Sequence, residues 1–180
     1  MKILTFDVES NGLHGEAFAV AGVLMDSGRA ILSQFTSRCP IIGPVDPWVS
    51  ENVLGPMQGM ADTAADGLTM RNAFWDWYHE VKAQADLIVA ANPYPVEARF
   101  LIACQEDDMP AREFDHPFPY FDLSSMLYTL GITTAPDRRA YSAEASKSDS
   151  GQPHNPLWDA KSTAMTALAA IEQAAAKLPA

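Results

Sequence analysis

The run "KILTFDVES" reads as a strand bound for a core, with Ile3, Leu4, Phe6 and Val8 apolar, yet it carries two carboxylates, Asp7 and Glu9, on either side of Val8. Strand side chains alternate between faces, so Asp7 and Glu9 project side by side while Val8 points the other way into the core. A carboxylate taken out of water is costly unless something positive meets it, and two so close repel each other. A fold that accepts this strand must leave its end in water or bring cations to one face of it.

The rest of the chain says what surrounds that strand. "FAVAGVLM" (18–25) and "AILSQFT" (30–36) are two further strands joined by the turn tetrapeptide "DSGR", which makes the first three strands an antiparallel meander. Residues 40–67 are rich in Pro, Gly and Asp, with one helical turn around "WVSENV". From 68 to about 85, Phe74, Trp77, Tyr78, Val81 and Ala85 recur at helical spacing, so the cluster Phe74, Trp75, Trp77, Tyr78 belongs to core and helix surface.

"DLIVAA" (86–91) is a continuous apolar run of the buried parallel type. It is followed by a helix in "NPYPVEARFLIACQED" with Pro95 suited to the first helical position. "FPYFDL" (118–123) predicts a strand with Asp122 as its end cap, "SSMLYTLG" a short helix closed by Gly131, and 135–153 a polar loop. A last helix, about 156–177, carries Ala164, Leu168 and Ile171 on one stripe. This order predicts an α/β fold: a mixed five-stranded sheet, an antiparallel meander of three strands then parallel strands, with helices on both faces. With 180 residues, a single domain, 1–180, is expected.

Charge narrows the function. The formal net charge is −11, which excludes broad adhesion to a nucleic-acid backbone. Two divalent ions add four positive charges, bring −11 to −7, and make their own site attractive to phosphate. No apolar run is long enough to span a bilayer, so no membrane partner is expected, and the chain opens straight into a strand, which predicts a cytoplasmic protein. Cys39 and Cys104 have neither the count nor the spacing of a disulfide framework or a zinc site and read as reduced, structural thiols.

Two more acidic positions stand out. In "QPHNPLWDA", Asn155 and Pro156 read as N-cap and first helical residue, which puts His154 at N′ and Asp159 at N4, positions that touch. A titratable pair there replaces the usual apolar staple. Glu97 lies in the first turn of the helix after "DLIVAA", a place that favours a carboxylate through the helix dipole and that lies beyond the carboxyl end of a strand, where open α/β sheets bind ligands. Asp7, Glu9, Glu97 and Asp159 are four carboxylates on separate elements, a donor set suited to Mg²⁺ or Mn²⁺ rather than zinc.

The DxE of "FDVESNGL", the acidic residue opening a helix in "VEARFL" and the H-x4-D of "HNPLWDA" resemble, in that order, the three exonuclease motifs of the DEDDh family of 3′–5′ exonucleases. These are RNase H-like proteins that include proofreading exonucleases, RNase T and oligoribonuclease. The likeness runs from Asp7 to Asp159. It departs at the middle motif, where the family usually has Asp, often after a His-Asn pair, and this chain has Glu97 after "AN" and an extra proline.

The resemblance implies that the four carboxylates hold two divalent cations about 4 Å apart around the scissile phosphate. Asp7 would bridge both, Glu9 and Asp159 would serve the nucleophile side, Glu97 would act on the other ion, and His154 would be the general base on a mobile segment 141–153. The segment Ser10, Asn11, Gly12, Leu13 matches the family's turn beside the 3′ nucleotide; backbone near Ser10 and Asn11 would contact the terminal sugar and Leu13 the last base. His14 and Glu16 are loop residues. The implied partner is the 3′ end of single-stranded or overhanging RNA or DNA, with short strands favoured. An end-binding domain without catalysis and a Mg²⁺-dependent nucleotide phosphohydrolase are the alternatives, and the sequence leaves open RNA against DNA and a homodimer.

Overall fold

Even-numbered residues of the first strand, β1 (Lys2–Ser10), face one core and odd-numbered residues face another. The computed structural model describes residues 1–147, 149 and 151–177. In it β1 pairs antiparallel with β2 (Ala17–Asp26), and β2 pairs antiparallel with β3 (Ile31–Arg38), as the three apolar runs predict. On its other side β1 pairs parallel with β4 (Leu87–Ala90), and β4 pairs parallel with β5 (Phe121–Asp122). The five-stranded mixed sheet therefore has the order β3-β2-β1-β4-β5, with β1 at its centre.

Leu4, Phe6 and Val8 pack on one face beneath α1 (Pro47–Asn52), α2 (Gly67–Lys82) and α3 (Val96–Glu106). Aromatic rings fill that layer: Phe6 meets Phe74 edge-on at 5.1 Å between centroids, and Phe74 meets Phe100 at 5.0 Å. Each such pair contributes roughly 0.5–1.5 kcal/mol beyond the area it buries. Gly22 leaves room for the Trp77 ring, which a Cβ would meet at 2.4 Å. A bidentate ion pair between Arg71 and Asp107 locks α2 to the end of α3. The four-residue α4 (Met109–Arg112) adds the Arg112 guanidinium over Trp75.

Ile3, Val23, Met25 and Val89 pack on the opposite face beneath α5 (Leu123–Thr129), α6 (Ala135–Ala145) and α7 (Pro156–Ala175). Alanines at 160, 164 and 167 let α7 lie close on the strands, near enough for the Thr5 hydroxyl to donate to the Ala160 carbonyl at 2.7 Å. Cys39 and Cys104 are buried free thiols. Asp122 caps α5 by accepting from the backbone of Ser124 and Ser125, as expected of a strand-end residue.

Three local expectations are corrected. Residues 135–145 are the helix α6, not loop; Thr134 caps it, Pro136 sits in its first turn, and none of its residues is buried, so no apolar period announced it. Ser148 and Ser150, within the same expected loop, lie outside the described residues. Pro95 is the N-cap of α3 rather than its first residue, which leaves Val96 first and Glu97 second. The strand expected over 118–123 shrinks to Phe121–Asp122, which pairs with Val89 and Ala90 of β4, since Pro119 within the expected run has no N–H to give to a ladder. Among the described residues, no helix is long and apolar enough to cross a membrane.

Candidate active site

The odd-numbered face of β1 ends in Asp7 and Glu9, and both meet the first turn of α7. One carboxylate oxygen from each of Asp7, Glu9 and Asp159 can be chosen so that all three lie within 4.8 Å of one another. The Thr5–Ala160 bond fixes the approach of the two elements just beside this point. Asn155 caps α7 through Trp158 N–H at 3.3 Å, with Pro156 as the first helical residue, as the motif predicts. The N′–N4 contact also forms, in a particular way: the backbone N–H of His154 donates to Asp159 Oδ2 at 2.7 Å, with His154 in the left-handed region at φ 64°.

That conformation turns the imidazole toward the strand. Its Nδ1 lies 3.5 Å from Glu9 Oε1, and its side chain is 40% exposed. Glu97 enters from the α3 side. It lies outside the group of three but lines the same cavity of about 330 Å³ with Asp7, Glu9, Asp159 and His154. Sequence reasoning therefore placed all five residues at one site.

The electrostatics are those of an uncompensated cluster. Burial pushes Glu9 up to about 8, with Asp159 and Glu97 adding repulsion. Glu97 rises to about 7 by burial, although hydrogen bonds from its own and Val8's backbone N–H pull it back, and Asp159 rises to about 7 by burial against the hydrogen bond from His154. Asp7 stands well above the usual carboxylate range, through burial first and then the charges of Asp159, Glu97 and Glu9. Burial moves His154 the other way, below its ordinary value.

No Lys or Arg lines the cavity among the described residues. Converging carboxylates with no Lys or Arg beside them suit hard divalent metals held by oxygen.

The turn after β1 divides its labour. Ser10, Gly12 and Leu13 line the cavity, whereas the Asn11 side chain points elsewhere, donating to Pro44 O at 2.9 Å and accepting from Asp46 N–H at 2.7 Å. Asp46 in turn caps α1. Gly12, at φ 82°, takes a backbone conformation that side chains disfavour, and a Cβ there would crowd Asp46 at 3.2 Å. Asn11 thus clamps α1 to the end of β1.

What α1 presents is Trp48, a residue the sequence reading left aside. Its ring stands perpendicular to His154 at 5.2 Å, 54% exposed, on the cavity wall with Leu13. Tyr94, 78% exposed, lines the same cavity. The available signal was the "DPW" at 46–48: a capped helix of six residues cannot bury a tryptophan on its own.

No model of a known protein family matches the sequence, and no curated protein does either. Solved structures do. The nuclease domain of 3′hExo, a DEDDh family member bound to rAMP, superimposes with a TM-score of 0.64 at 17% identity, over 96% of this chain and 92% of that one. Exonuclease X in complex with 5′ overhanging duplex DNA gives 0.60 at 14%, over 96% and 93%. E. coli exonuclease I in complex with a dT13 oligonucleotide gives 0.61 at 15%, over 96% of this chain and 41% of that one. Strand order, the convergence of Asp7, Glu9, Glu97 and Asp159, and these superpositions agree: the chain has the RNase H-like fold of the DEDDh 3′–5′ exonucleases.

Proposed function

We propose that the chain is a single-domain, metal-dependent 3′–5′ exonuclease that hydrolyses phosphodiester bonds from the 3′ end of single-stranded or overhanging RNA or DNA and releases nucleoside 5′-monophosphates. The observation that carries this reading is the half-buried carboxylate cluster of Asp7, Glu9 and Asp159 with the His154 ring beside it and no Lys or Arg among the described residues lining its cavity.

Asp7, Glu9 and Asp159, with Glu97 from the facing helix, hold two divalent cations, Mg²⁺ or Mn²⁺. Bound there, the cations supply positive charge that attracts the scissile phosphate and offsets the charge that builds on it. His154 takes the proton of the attacking water. Its Nδ1 faces Glu9, which leaves Nε2 as the accepting atom, and its lowered pKa keeps the ring neutral and able to accept at neutral pH. The hydrogen bond from His154 N–H to Asp159 keeps the base in register with the cluster.

Ser10, Gly12 and Leu13 border the 3′ nucleotide, and Trp48 offers a face on which its base stacks without regard to identity. The Asn11 side chain acts through the clamp on α1, and its backbone, next to Ser10, borders the terminal sugar. The solved neighbours hold rAMP, an overhanging duplex and an oligonucleotide, which supports nucleic-acid ends as the substrate class.

The test is a time course with 5′-labelled single-stranded RNA and DNA in Mg²⁺ or Mn²⁺ against EDTA, comparing wild type with Asp7→Ala and His154→Ala. A metal-dependent ladder shortening from the 3′ end, lost in both variants, is the expected result. Retention of an uncut strand would make the protein an end-binding domain, and release of inorganic phosphate from nucleotides would make it a phosphohydrolase.

A further inference from the structure

A second cavity, of about 510 Å³, opens beside the first between α5, α6 and α7. The two share Ala91, Asn92, Pro153 and Asp159, so they form one continuous surface. Its chemistry is the reverse of the carboxylate site. Arg138 and Arg139 of α6 line it with the hydroxyl-bearing Ser142 and Thr163, and Asp159, at the shared rim, is its sole carboxylate among the described residues.

These arginines are uncommitted in a chain where cations are scarce. Lys and Arg number 12 against 23 acidic residues, and many are already engaged: Arg29 with Glu172, Arg38 with Asp62, Arg71 with Asp107, Lys82 with Asp115 and Lys147 with Glu144. Arg138 gives one N–H to the Thr133 carbonyl and pairs with no carboxylate, and Arg139 has neither a hydrogen bond nor an ion pair among the described residues. Uncommitted guanidinium groups and hydroxyls make a surface for phosphate.

The groove on the other flank does not. It too adjoins the active cavity, through Ser10, Leu13 and Val96, and it contains Arg71 and Arg99. But Arg71 is held bidentately by Asp107, Arg99 donates to the His14 carbonyl, and Glu16 and Glu106 line the same groove. A polyanion laid there meets Arg71 already ion-paired and the carboxylates of Glu16 and Glu106, with Arg99 as the one cation among the described lining residues that has no acidic partner.

We infer that the strand 5′ of the scissile bond runs under α6, with Arg138 and Arg139 holding its backbone phosphates. The inference rests on the exonuclease reading and adds a direction to it. The terminal base lies against Leu13 and Trp48, the scissile phosphate at the carboxylates, and the upstream nucleotides follow the shared wall past Asn92 and Pro153 to the arginines. It also accounts for a polar helix with no buried residue so near the site.

The experiment compares wild type, the double variant Arg138→Ala/Arg139→Ala and the double variant Arg138→Lys/Arg139→Lys. Alanine is the best helix former, so α6 is retained. The substrates are a single-stranded octanucleotide and a nitrophenyl ester of a nucleoside 5′-monophosphate, which has no upstream phosphate. In the alanine variant KM for the octanucleotide is expected to rise about tenfold, with the slope of log KM against log salt shallower by about 1.4, or about 0.7 for each lost contact to a single strand. The lysine variant recovers most of the slope, and kcat/KM for the ester is unchanged in both. An unaltered octanucleotide KM and slope, or an equal loss on both substrates, overturns the inference. If wild type cleaves neither substrate, the exonuclease reading fails, and the inference is then read from equilibrium binding of the same octanucleotide, equal affinities for wild type and the alanine variant overturning it.

Discussion

His154 and Asp159 are joined through the backbone of the first and the side chain of the second, at 2.7 Å. The proposed proton acceptor is thereby fastened to a proposed metal ligand by a bond that leaves its own ring free. Asp159→Asn keeps an acceptor oxygen for that bond and removes the charge. We expect its hydrolysis rate to fall by at least two orders of magnitude while its metal-free melting temperature at pH 8 rises by a few degrees, since one member of a repelling cluster is gone. Asp159→Ala loses the rate without the same gain in stability. Steady-state rates and thermal scans in EDTA check both statements, and a melting temperature lower in Asp159→Asn than in wild type would count against the cluster as drawn.

Metal-free stability should fall as pH rises. Glu9 titrates near 8 and Glu97 and Asp159 near 7 in the fold, against 4.5, 4.5 and 3.8 for the ordinary groups. Between those limits these three groups bind more protons in the folded chain than in the unfolded one, so their contribution to stability is full below about 4 and is lost progressively up to about 8. Mg²⁺ added at pH 8 should then raise the melting temperature more than Mg²⁺ added at pH 5. The measurement is a set of thermal scans across pH with EDTA or Mg²⁺, and a profile indifferent to both would refute the idea.

Glu97 tests a matter of reach. Pro95 caps α3 from outside, and the longer glutamate extends from the second helical position toward the cluster. Glu97→Gln should lose roughly a hundredfold or more in kcat, because a neutral amide is a poor ligand for a hard cation. Glu97→Asp keeps the charge but draws it back by a methylene, so its rate should fall by roughly tenfold and recover in part at high Mn²⁺. Full activity in Glu97→Gln would remove this residue from the site.

Trp48 is expected to act on binding rather than on the chemical step. Stacking on an aromatic is worth about 1–3 kcal/mol per base, so Trp48→Ala should raise KM by roughly 5- to 150-fold while Trp48→Phe restores most of it. Asn11→Ala, which removes the clamp on α1, should shift KM in the same direction more weakly. A Trp48→Ala variant that lost kcat alone, with KM intact, would contradict the placement of the base.

The sequence made the centre of the molecule legible and its periphery much less so. Alternation in "KILTFDVES" assigned each residue of β1 to a face, and the meander followed from three apolar runs with a turn between the last two. Asn155, Pro156 and Asp159 were readable because capping chemistry depends on a few adjacent positions. The helix α6 was not, since a helix that buries nothing carries no apolar period and differs from loop mainly by its cap at Thr134. Trp48 was hidden for a related reason: an aromatic in a Pro- and Gly-rich stretch gives no hint of which wall it faces. That Asn11 clamps α1 depends on Pro44 and Asp46, more than thirty residues away, a closure that no local pattern records.

The two-sided packing of β1 has a consequence for how such a chain can drift. Ile3, Thr5, Asp7 and Glu9 share one parity, and Leu4, Phe6 and Val8 the other. Substitution can change either set piecemeal, yet deletion of one residue between Ile3 and Asp7 would exchange them from there on, driving the carboxylates into a bed of aromatic rings and Val8 into the place of Asp7. Spelling in this strand is negotiable, and its reading frame is not.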